Sequence, residues 1–563
     1  MKGIPVLSAL THRRASDILE QLPAPLQEQA RRVPHLRRYL ENAPFDKIGI
    51  PEYYPEATKS LGSIAKRNLI HGVSDQLFVH ILEDPDDARD YYISIEPSMG
   101  TDLAHVLALL EPALLDFVDE LEAAETDEQK KDVLTAAVEE VLGGSPRGRR
   151  GFPFAGGGRS AIGIKVSAED IEAVKYLMVR DKIGLGVIEP LIQDPNIEDI
   201  SCSGVGPVYL EHKIFKALKC NISFDDPAVL DEFVIRLSEK IKRPVTYRRP
   251  VSDATLPDGS RINIVYGTDV SMRGSNFTIR KFTAVPMSIL DIIEGGGLSF
   301  EMAAYLSLMV SEGMNYFVAG ETASGKTTLL NALTGFYKPE HKIVTIEDTP
   351  EVQVPHPNWT REVVKFSADG AGGVTMFDLL KAALRQRPNE IIIGEIRGEE
   401  GAIAFQAMQT GHAVAATFHA STVEKLIQRL TGSPINVPKQ YIDNLNIVCI
   451  ASAVRLPNGR LGRRILSINE LVGYDSAADA FSFIEVYRWN AHNDTHEATG
   501  DMNSYLLEHR IAEKRGIPPD NKRAIYEEVQ RRALLFEKLF KAGKTNFYEL
   551  YQVFSQAHRQ GLL

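Results

Sequence analysis

Gly320-Glu321-Thr322-Ala323-Ser324-Gly325-Lys326-Thr327, followed by Thr328, is the stretch whose reading decides the fold. It meets the pattern G-x-x-x-x-G-K-[ST] at every fixed position. The apolar run Met314-Asn315-Tyr316-Phe317-Val318-Ala319 before it reads as a buried strand, and Thr328-Leu329-Leu330-Asn331-Ala332-Leu333 after it as the start of a helix. Strand, glycine loop and helix in that order let backbone N–H groups converge on phosphate oxygens, and the helix N-terminus adds the positive end of its dipole. The sequence therefore predicts that Gly320 to Thr328 cradle a polyphosphate. Lys326 is expected to reach the β- and γ-phosphates, and the Thr327 hydroxyl to ligate Mg²⁺. The implied ligand is a nucleoside triphosphate. ATP is favoured over GTP because no N-K-x-D base-reading motif occurs.

Outward from the loop, apolar runs at 343–346, 390–393, 413–418 and 447–453 alternate with helical patterns. Continuous apolar runs separated by helices imply a largely parallel sheet covered on both faces. Runs at 465–472 and 481–487 read as further strands. Such a sheet gathers its ligands at the C-terminal ends of its strands. Glu395 follows Ile391-Ile392-Ile393-Gly394 there, as a candidate for Mg²⁺ and for orienting the attacking water. Glu347 and Asp348 end the run at 343–346, Glu347 for water activation and Asp348 for metal or hydrogen-bond support. Spacing leaves open which of Glu347 and Glu395 is the base. His412 and His419 bracket the run at 413–418, and a histidine at a strand end can sense a γ-phosphate. Positive charge for a phosphoryl-transfer transition state could come from Arg385 and Arg387, or from Arg261 and Arg280 further upstream.

The rest of the chain fixes domains and class. At 563 residues it exceeds what one core supports. The expected division is an N-terminal region of helices and a hairpin (1–142), a glycine-rich basic linker (143–163), an α+β domain (164–286), the α/β domain of the loop (287–490) and a charged helical extension (491–563). The hairpin is placed at 76–82 and 90–95, and Phe536, Leu539 and Phe540 form an apolar stripe in the tail. Gly295-Gly296-Gly297 marks the entrance to the α/β domain. A formal net charge of −12 argues against a broad grip on nucleic acid. Cys202, Cys220 and Cys449 show neither C-x-x-C nor zinc spacing, as expected of buried thiols in a reducing compartment. The N-terminus lacks the apolar core of a signal peptide, and no run approaches the roughly 20 apolar residues of a membrane span. The expected location is cytoplasmic, with the basic pairs Arg13-Arg14, Arg31-Arg32 and Arg37-Arg38 open to peripheral contact with an anionic membrane.

The set Gly320 to Thr328, Ile346-Glu347-Asp348, Leu384-Arg385-Gln386-Arg387-Pro388, Ile391 to Arg397 and Thr410-Gly411-His412 … Thr417-Phe418-His419-Ala420 resembles the type II/type IV secretion ATPase superfamily. The stretches match its Walker A, Asp, Walker B and His boxes in order. Ile188-Glu189-Pro190-Leu191 … Asp199-Ile200-Ser201-Cys202 and Leu256 to Arg261 match upstream, so the likeness covers about 164 to 470. The wording is similar to the archaeal branch, which includes the archaellum motor ATPase and archaeal type IV pilus assembly ATPases. The resemblance implies a homo-hexameric ring in which each subunit joins an N-terminal PAS-like α+β domain to a RecA-like ATPase domain. It implies ATP and Mg²⁺ as cofactors, His412 and His419 near the nucleotide, and arginine fingers at Arg261 and Arg280. It further implies a polytopic membrane platform protein as partner. Asn389 and Gly398 depart from the bacterial pattern, and the four-cysteine zinc motif of many bacterial relatives is absent. A nucleic-acid-translocating ring and a non-hydrolysing nucleotide-gated scaffold are the competing readings.

Overall fold

The computed structural model describes residues 19–99, 103–143, 166–282, 285–365, 373–457, 459–499 and 503–561. Arg13-Arg14 and nearly all of the expected linker lie outside the described residues. The chain forms two compact units, Met1–Phe282 and Thr283–Leu563.

In the first unit, helices α1 (Ala24–Arg32) and α2 (Pro34–Asn42) precede strands β1 (Glu52–Tyr54), β2 (Asn68–Gly72), β3 (Phe78–Leu82) and β4 (Asp90–Ile95). Helices α3 (Leu103–Leu114), α4 (Asp127–Gly143) and α5 (Ala168–Met178) follow. Next come β5 (Ile197–Cys202), β6 (Gly206–His212), β7 (Lys216–Phe224), α6 (Pro227–Lys240), β8 (Val251–Thr255), β9 (Arg261–Val265) and β10 (Asn276–Arg280). The expected hairpin is β3–β4, in antiparallel register from Phe78 opposite Ile95 to Leu82 opposite Tyr91. Among the described residues the strands form one ten-stranded sheet in the order β1-β2-β3-β4-β7-β6-β5-β10-β9-β8. β4 pairs in parallel with β7, Asp90 opposite Leu218. The N-terminal region is thus helical at both ends and contributes four strands between them to the sheet of the α+β part. β7 and β8 carry lysines and polar residues on their open faces, which hides them from a search for apolar runs.

The second unit, after a short helix at Ile289–Glu294, contains α7 (Phe300–Ser311), β11 (Tyr316–Gly320), α8 (Lys326–Thr334), β12 (Ile343–Glu347), β13 (Trp359–Val363), α9 (Met376–Arg385) and β14 (Glu390–Ile396). α10 (Glu400–Gln409), β15 (Ala413–Phe418), α11 (Val423–Thr431), β16 (Ile447–Arg455), β17 (Leu461–Asp475), β18 (Ala480–Asn490) and β19 (Thr495–Ala498) follow. The tail forms α12 (Ile525–Lys541) and α13 (Phe547–Arg559). The strand order is β13-β12-β14-β15-β11-β16-β17-β18-β19. Pairing is parallel from β13 through β16 and antiparallel from there to β19. This is a RecA-like α/β sheet with an antiparallel extension. Every residue of β11, β12 and β15 is buried, which explains their unbroken apolar runs.

Successive residues of a strand face opposite sides. Tyr316 and Val318 of β11 accordingly join a core with α7, α8, α12 and α13, whereas Phe317 and Ala319 join one with α9, α10 and α11. The charged tail belongs to the first of these cores. Phe536 is 1% exposed, and Leu539 and Phe540 are half-buried against the same core. The expected apolar stripe is therefore a packing face.

Candidate functional site

The chain leaves the centre of the sheet at β11, passes over β15 and β14 to build β12, and returns through β14 and β15 before adding β16 on the far side. The direction of travel reverses at β11, and its C-terminal end is where ligands collect in such sheets. Gly320 to Gly325 occupy that end. Gly320 is obligatory, because a Cβ there would lie 2.2 Å from the Ala451 carbonyl oxygen and 2.6 Å from the Ser324 hydroxyl. Ala323 (φ 61°) and Gly325 (φ 93°) take left-handed backbone conformations that curl the loop. Gly325 precedes α8 without any side-chain cap, so the first N–H groups of α8 stay open toward the loop.

Lys326 is folded back, donating to the Glu321 carbonyl at 2.8 Å. Burial lowers its pKa, opposed by the nearby charge of Glu395. Ser324 donates to the same carbonyl at 2.8 Å. The loop therefore holds its own lysine in place by a hydrogen bond that a phosphate can replace.

Glu347, Glu395 and His419 come from the C-terminal ends of β12, β14 and β15, at the same edge as the loop. Glu347 is 1% exposed. Its Oε1 accepts from the backbone N–H of Glu351 at 2.8 Å and of Val352 at 2.7 Å. Its Oε2 lies 3.5 Å from Arg361 Nε and accepts no hydrogen bond. Burial raises its pKa to about 7, against the lowering effect of the two N–H groups and Arg361. A carboxyl that changes charge near neutral pH suits proton transfer to or from water. Gly394 lets β14 lie close to it, since a Cβ there would sit 3.2 Å from Glu347 Cγ.

Glu395 lies within a register shift between Ile393 and Ile396 in the β14–β15 pairing. Such bulges re-aim a side chain beside a site. Thr417 pins this one by donating to the Gly394 carbonyl at 2.6 Å. Arg397 Nη2 stands 2.5 Å from Glu395 Oε2, and its Nη1 is 3.9 Å from Asp348 Oδ2. His419 is exposed and follows Phe418, which pairs with Ala319, so it comes level with Gly320. An open cleft of about 370 Å³ beside it is lined by Glu321, His419, Lys425 and Arg429 among others.

Two expected site residues lie elsewhere. His412 precedes β15, and its ring meets the Thr410 hydroxyl at 3.1 Å. It stands at the opposite end of β15 from His419, a strand length of roughly 20 Å away. Arg385 ends α9 just before β14 and so, with Arg387, lies at that same far edge, exposed. Within one chain neither His412 nor Arg385 serves the loop. Flanking a strand puts two residues at its two ends, and only one end carries the site. Arg261 and Arg280 belong to the first unit, directly opposite each other on β9 and β10 and both exposed. Like charges placed directly opposite in a sheet repel.

Sequence reasoning missed Arg397 as a partner of the two carboxylates. Its spacing of two from Glu395, one residue past the end of β14, was the available signal. Arg361, and Arg463 of β17, which donates to the Ala323 carbonyl at 3.2 Å, carry no local motif.

Among the described residues no cluster of three or more His, Cys, Asp or Glu could hold a metal ion. The donors suit Mg²⁺ in another way. That ion takes one or two protein oxygens and completes its shell with water and substrate phosphates. Thr327 in the first turn of α8 and the carboxylates of Glu395 and Asp348 are hard oxygen donors. The two carboxylates already face a cation in Arg397.

The loop, the strand-end carboxylates and the parallel sheet define a RecA-like nucleotide-binding unit of the P-loop class. Residues 181–456 match the family model described as "Type II/IV secretion system protein". The protein MJ0900 of Methanocaldococcus jannaschii is 42% identical over 548 residues, covering 96% of this chain and 98% of its own. The putative conjugal transfer protein Rv3659c of Mycobacterium tuberculosis is 26% identical over 310 residues, covering 53% of this chain and 88% of its own. The pilus retraction motor PilT with bound ADP is a solved structure with 17% identity and a TM-score of 0.37, covering 64% of this chain and 93% of that one. The chain belongs to the type II/type IV secretion ATPase superfamily. Among the described residues no helix is long and apolar enough to cross a membrane.

Proposed function

We propose that the chain is a Mg²⁺-dependent ATPase that works as a homo-hexamer at the cytoplasmic face of a membrane. It couples hydrolysis to assembly of a type IV pilus-like filament, archaellum or pilus, or to type II-like secretion through a polytopic platform protein. The observation that carries the reading is the gathering of the Lys326 loop, Glu347, Glu395 and His419 at one edge of a sheet with the RecA-like strand order.

Lys326 exchanges the Glu321 carbonyl for phosphate oxygens, and the open N–H groups of α8 take further ones. Thr327, Glu395 and Asp348 would hold Mg²⁺, which neutralises phosphate charge when bound. Glu347, ionised above about pH 7, accepts the proton of the attacking water, and Glu395 orients that water. The choice of Glu347 as base rests on its burial and raised pKa. His419 lies beside the loop as a γ-phosphate contact. Arg261 and Arg280 stand opposite each other, and Asp199 of β5 already offsets Arg280 from its other side. They fit arginine fingers acting across a domain or subunit boundary.

Filament assembly or secretion is favoured over nucleic-acid pumping by the net charge of −12. The full chain is expected to hydrolyse ATP as an assembled ring, with stimulation by membranes carrying a platform protein and none by DNA. Lys326→Ala is expected to lose both hydrolysis and filament assembly. DNA stimulation would establish the pump, a ring inert toward ATP the scaffold, and filament assembly by a hydrolysis-dead Lys326→Ala variant would remove the motor reading.

A further inference from the structure

Beside the phosphate loop stands a cation with a dedicated support. β16 runs parallel to β11, with Ala451 opposite Gly320, and continues past the loop before turning back as β17. The turn returns Arg463 over the loop. Its Nε donates to the Ala323 carbonyl at 3.2 Å, and its Cδ lies 3.5 Å from the place of a Cβ on Gly325. The side chain therefore spans the two left-handed residues that flank Ser324. It is exposed, and among the described residues its terminal amino groups have no carboxylate or other hydrogen-bond partner. An exposed arginine ordinarily finds an acid or reaches for solvent. This one lies on a loop built for phosphate.

The next residue explains why it stays there. Arg464 is 5% exposed and is gripped by Asp494 through both Nε and Nη2 at 2.7 Å. Trp489 donates to the same carboxylate at 2.9 Å. Arg464 Nη1 in turn donates to the Gly295 carbonyl at 2.8 Å and to the carbonyl of Arg463 at 2.9 Å. Gly296 (φ 72°) makes room, because a Cβ there would sit 2.8 Å from Arg464 Nη2. Gly297 accepts the N–H of Ile465 at 2.9 Å. The triple glycine is thus the bed in which Arg464 lies, and Asp494, Arg464 and the glycines hold the backbone of Arg463 from behind.

We propose that Arg463 is a polyphosphate-binding residue of the nucleotide site, contributed from the β16–β17 hairpin. Its guanidinium rests on the Ala323 carbonyl. When a nucleoside di- or triphosphate enters the loop, it turns its terminal amino groups to the phosphate oxygens, in parallel with the exchange made by Lys326. The proposal rests on the nucleotide-binding reading of the loop.

Equilibrium binding of ADP and of the non-hydrolysable triphosphate AMPPNP to the full chain tests it, with the ATPase KM and kcat measured alongside. Wild type must bind both nucleotides, and Lys326→Ala must not. If wild type binds neither, the nucleotide reading of the loop has failed, a result distinct from failure at Arg463. Arg463→Ala is expected to weaken both nucleotides about tenfold or more, as for loss of a charge-assisted hydrogen bond. Arg463→Lys keeps the charge and is expected to stay within about threefold of wild type. Arg463→Gln keeps a donor for Ala323 without the charge and is expected to behave like alanine. A glutamine variant that binds as wild type does would reduce Arg463 to a loop brace. An alanine variant with unchanged affinity would remove it from the site altogether.

Discussion

Arg397 Nη2 lies 2.5 Å from Glu395 Oε2, and the same guanidinium reaches Asp348 at 3.9 Å. One arginine therefore reaches both Glu395 of β14 and Asp348, the residue after β12. It does for them what a divalent cation would do, offsetting the repulsion between two acids. Metal entry must loosen this contact. We predict that Arg397→Ala lowers the Mg²⁺ concentration needed for half-maximal ATPase activity while impairing turnover. A metal titration at saturating ATP measures both. An unchanged metal requirement would show that Arg397 leaves the metal's place free.

Glu395 lies in a bulge pinned by Thr417, so its position is built. Glu395→Gln keeps the shape and removes the charge. Turnover is expected to fall by about 100-fold or more, in the range of a lost acid–base or water-orienting group. AMPPNP binding by the loop is expected to persist. Single-turnover hydrolysis and equilibrium binding separate the two effects, and joint loss of binding would move Glu395 from chemistry to cradle.

Glu347 makes a pH-dependent prediction. Its pKa is about 7 in the folded protein against 4.5 ordinarily. As pH rises from 4.5 the unfolded chain loses this proton first, so the folded state holds more protons and loses stability until about pH 7. At about 1.4 kcal/mol per pKa unit, the carboxylate costs on the order of 3 kcal/mol above that point. Glu347→Gln is therefore expected to melt higher than wild type at pH 8 and alike at pH 4.5, though hydrolysis is lost. Wild-type hydrolysis should fall as pH drops through about 7. A variant less stable than wild type at pH 8 would show that the Arg361 ion pair outweighs the cost of burial.

The loop, the strands at 343–347 and 413–418 and helix Pro227–Lys240 were legible because each rests on a local rule. These are glycine spacing, an unbroken apolar run in a doubly covered sheet, or an apolar period with proline at its start. Glu347, Glu395 and His419 follow from the same logic, since a parallel sheet carries its ligands at one edge. Within one chain His412 and Arg385 stand at the far edge of the sheet, because sequence adjacency to a strand does not say which end is meant. Arg361 and Arg463 reach the site through pairings with distant strands, and no local pattern records those. The joining of β4 to β7 was hidden for the same reason. It depends on 90–92 meeting 218–220, over a hundred residues on.

Gly320→Ala tests how tightly the loop is seated. The added methyl would meet the Ala451 carbonyl at 2.2 Å, and backbone on both sides cannot yield as a flexible side chain could. β11 must move from β16, at a cost of about 1–3 kcal/mol typical of overpacking. A lower melting temperature and loss of AMPPNP binding are expected together. Gly411→Ala is the control for a glycine outside the loop. Its Cβ meets no atom within 4 Å, so its strain comes from its φ of 89° alone. Its melting temperature should fall without loss of nucleotide binding.

The tail braces the helix that begins at Lys326. Phe336, just beyond the end of α8, stacks on Phe536 of α12 with ring centroids 5.6 Å apart, and Phe554 of α13 closes on both at 5.2 and 5.4 Å. Arg532, 3% exposed, ties α12 to α7 through Ser307 at 3.2 Å and pairs with Glu528 at 2.9 Å. Three rings packed this closely are sensitive to truncation, and Phe536→Ala is expected to cost about 3–5 kcal/mol through lost burial and the cavity left behind. Phe536→Leu retains most of the volume and should cost less. α8 carries Lys326 and Thr327 at its start, so loosening its far end should also raise the KM for ATP in the alanine variant. Denaturant melts and steady-state kinetics on both variants measure the two effects. Loss of stability with an unchanged KM would show that α8 is held by the sheet alone and that the tail serves only the core.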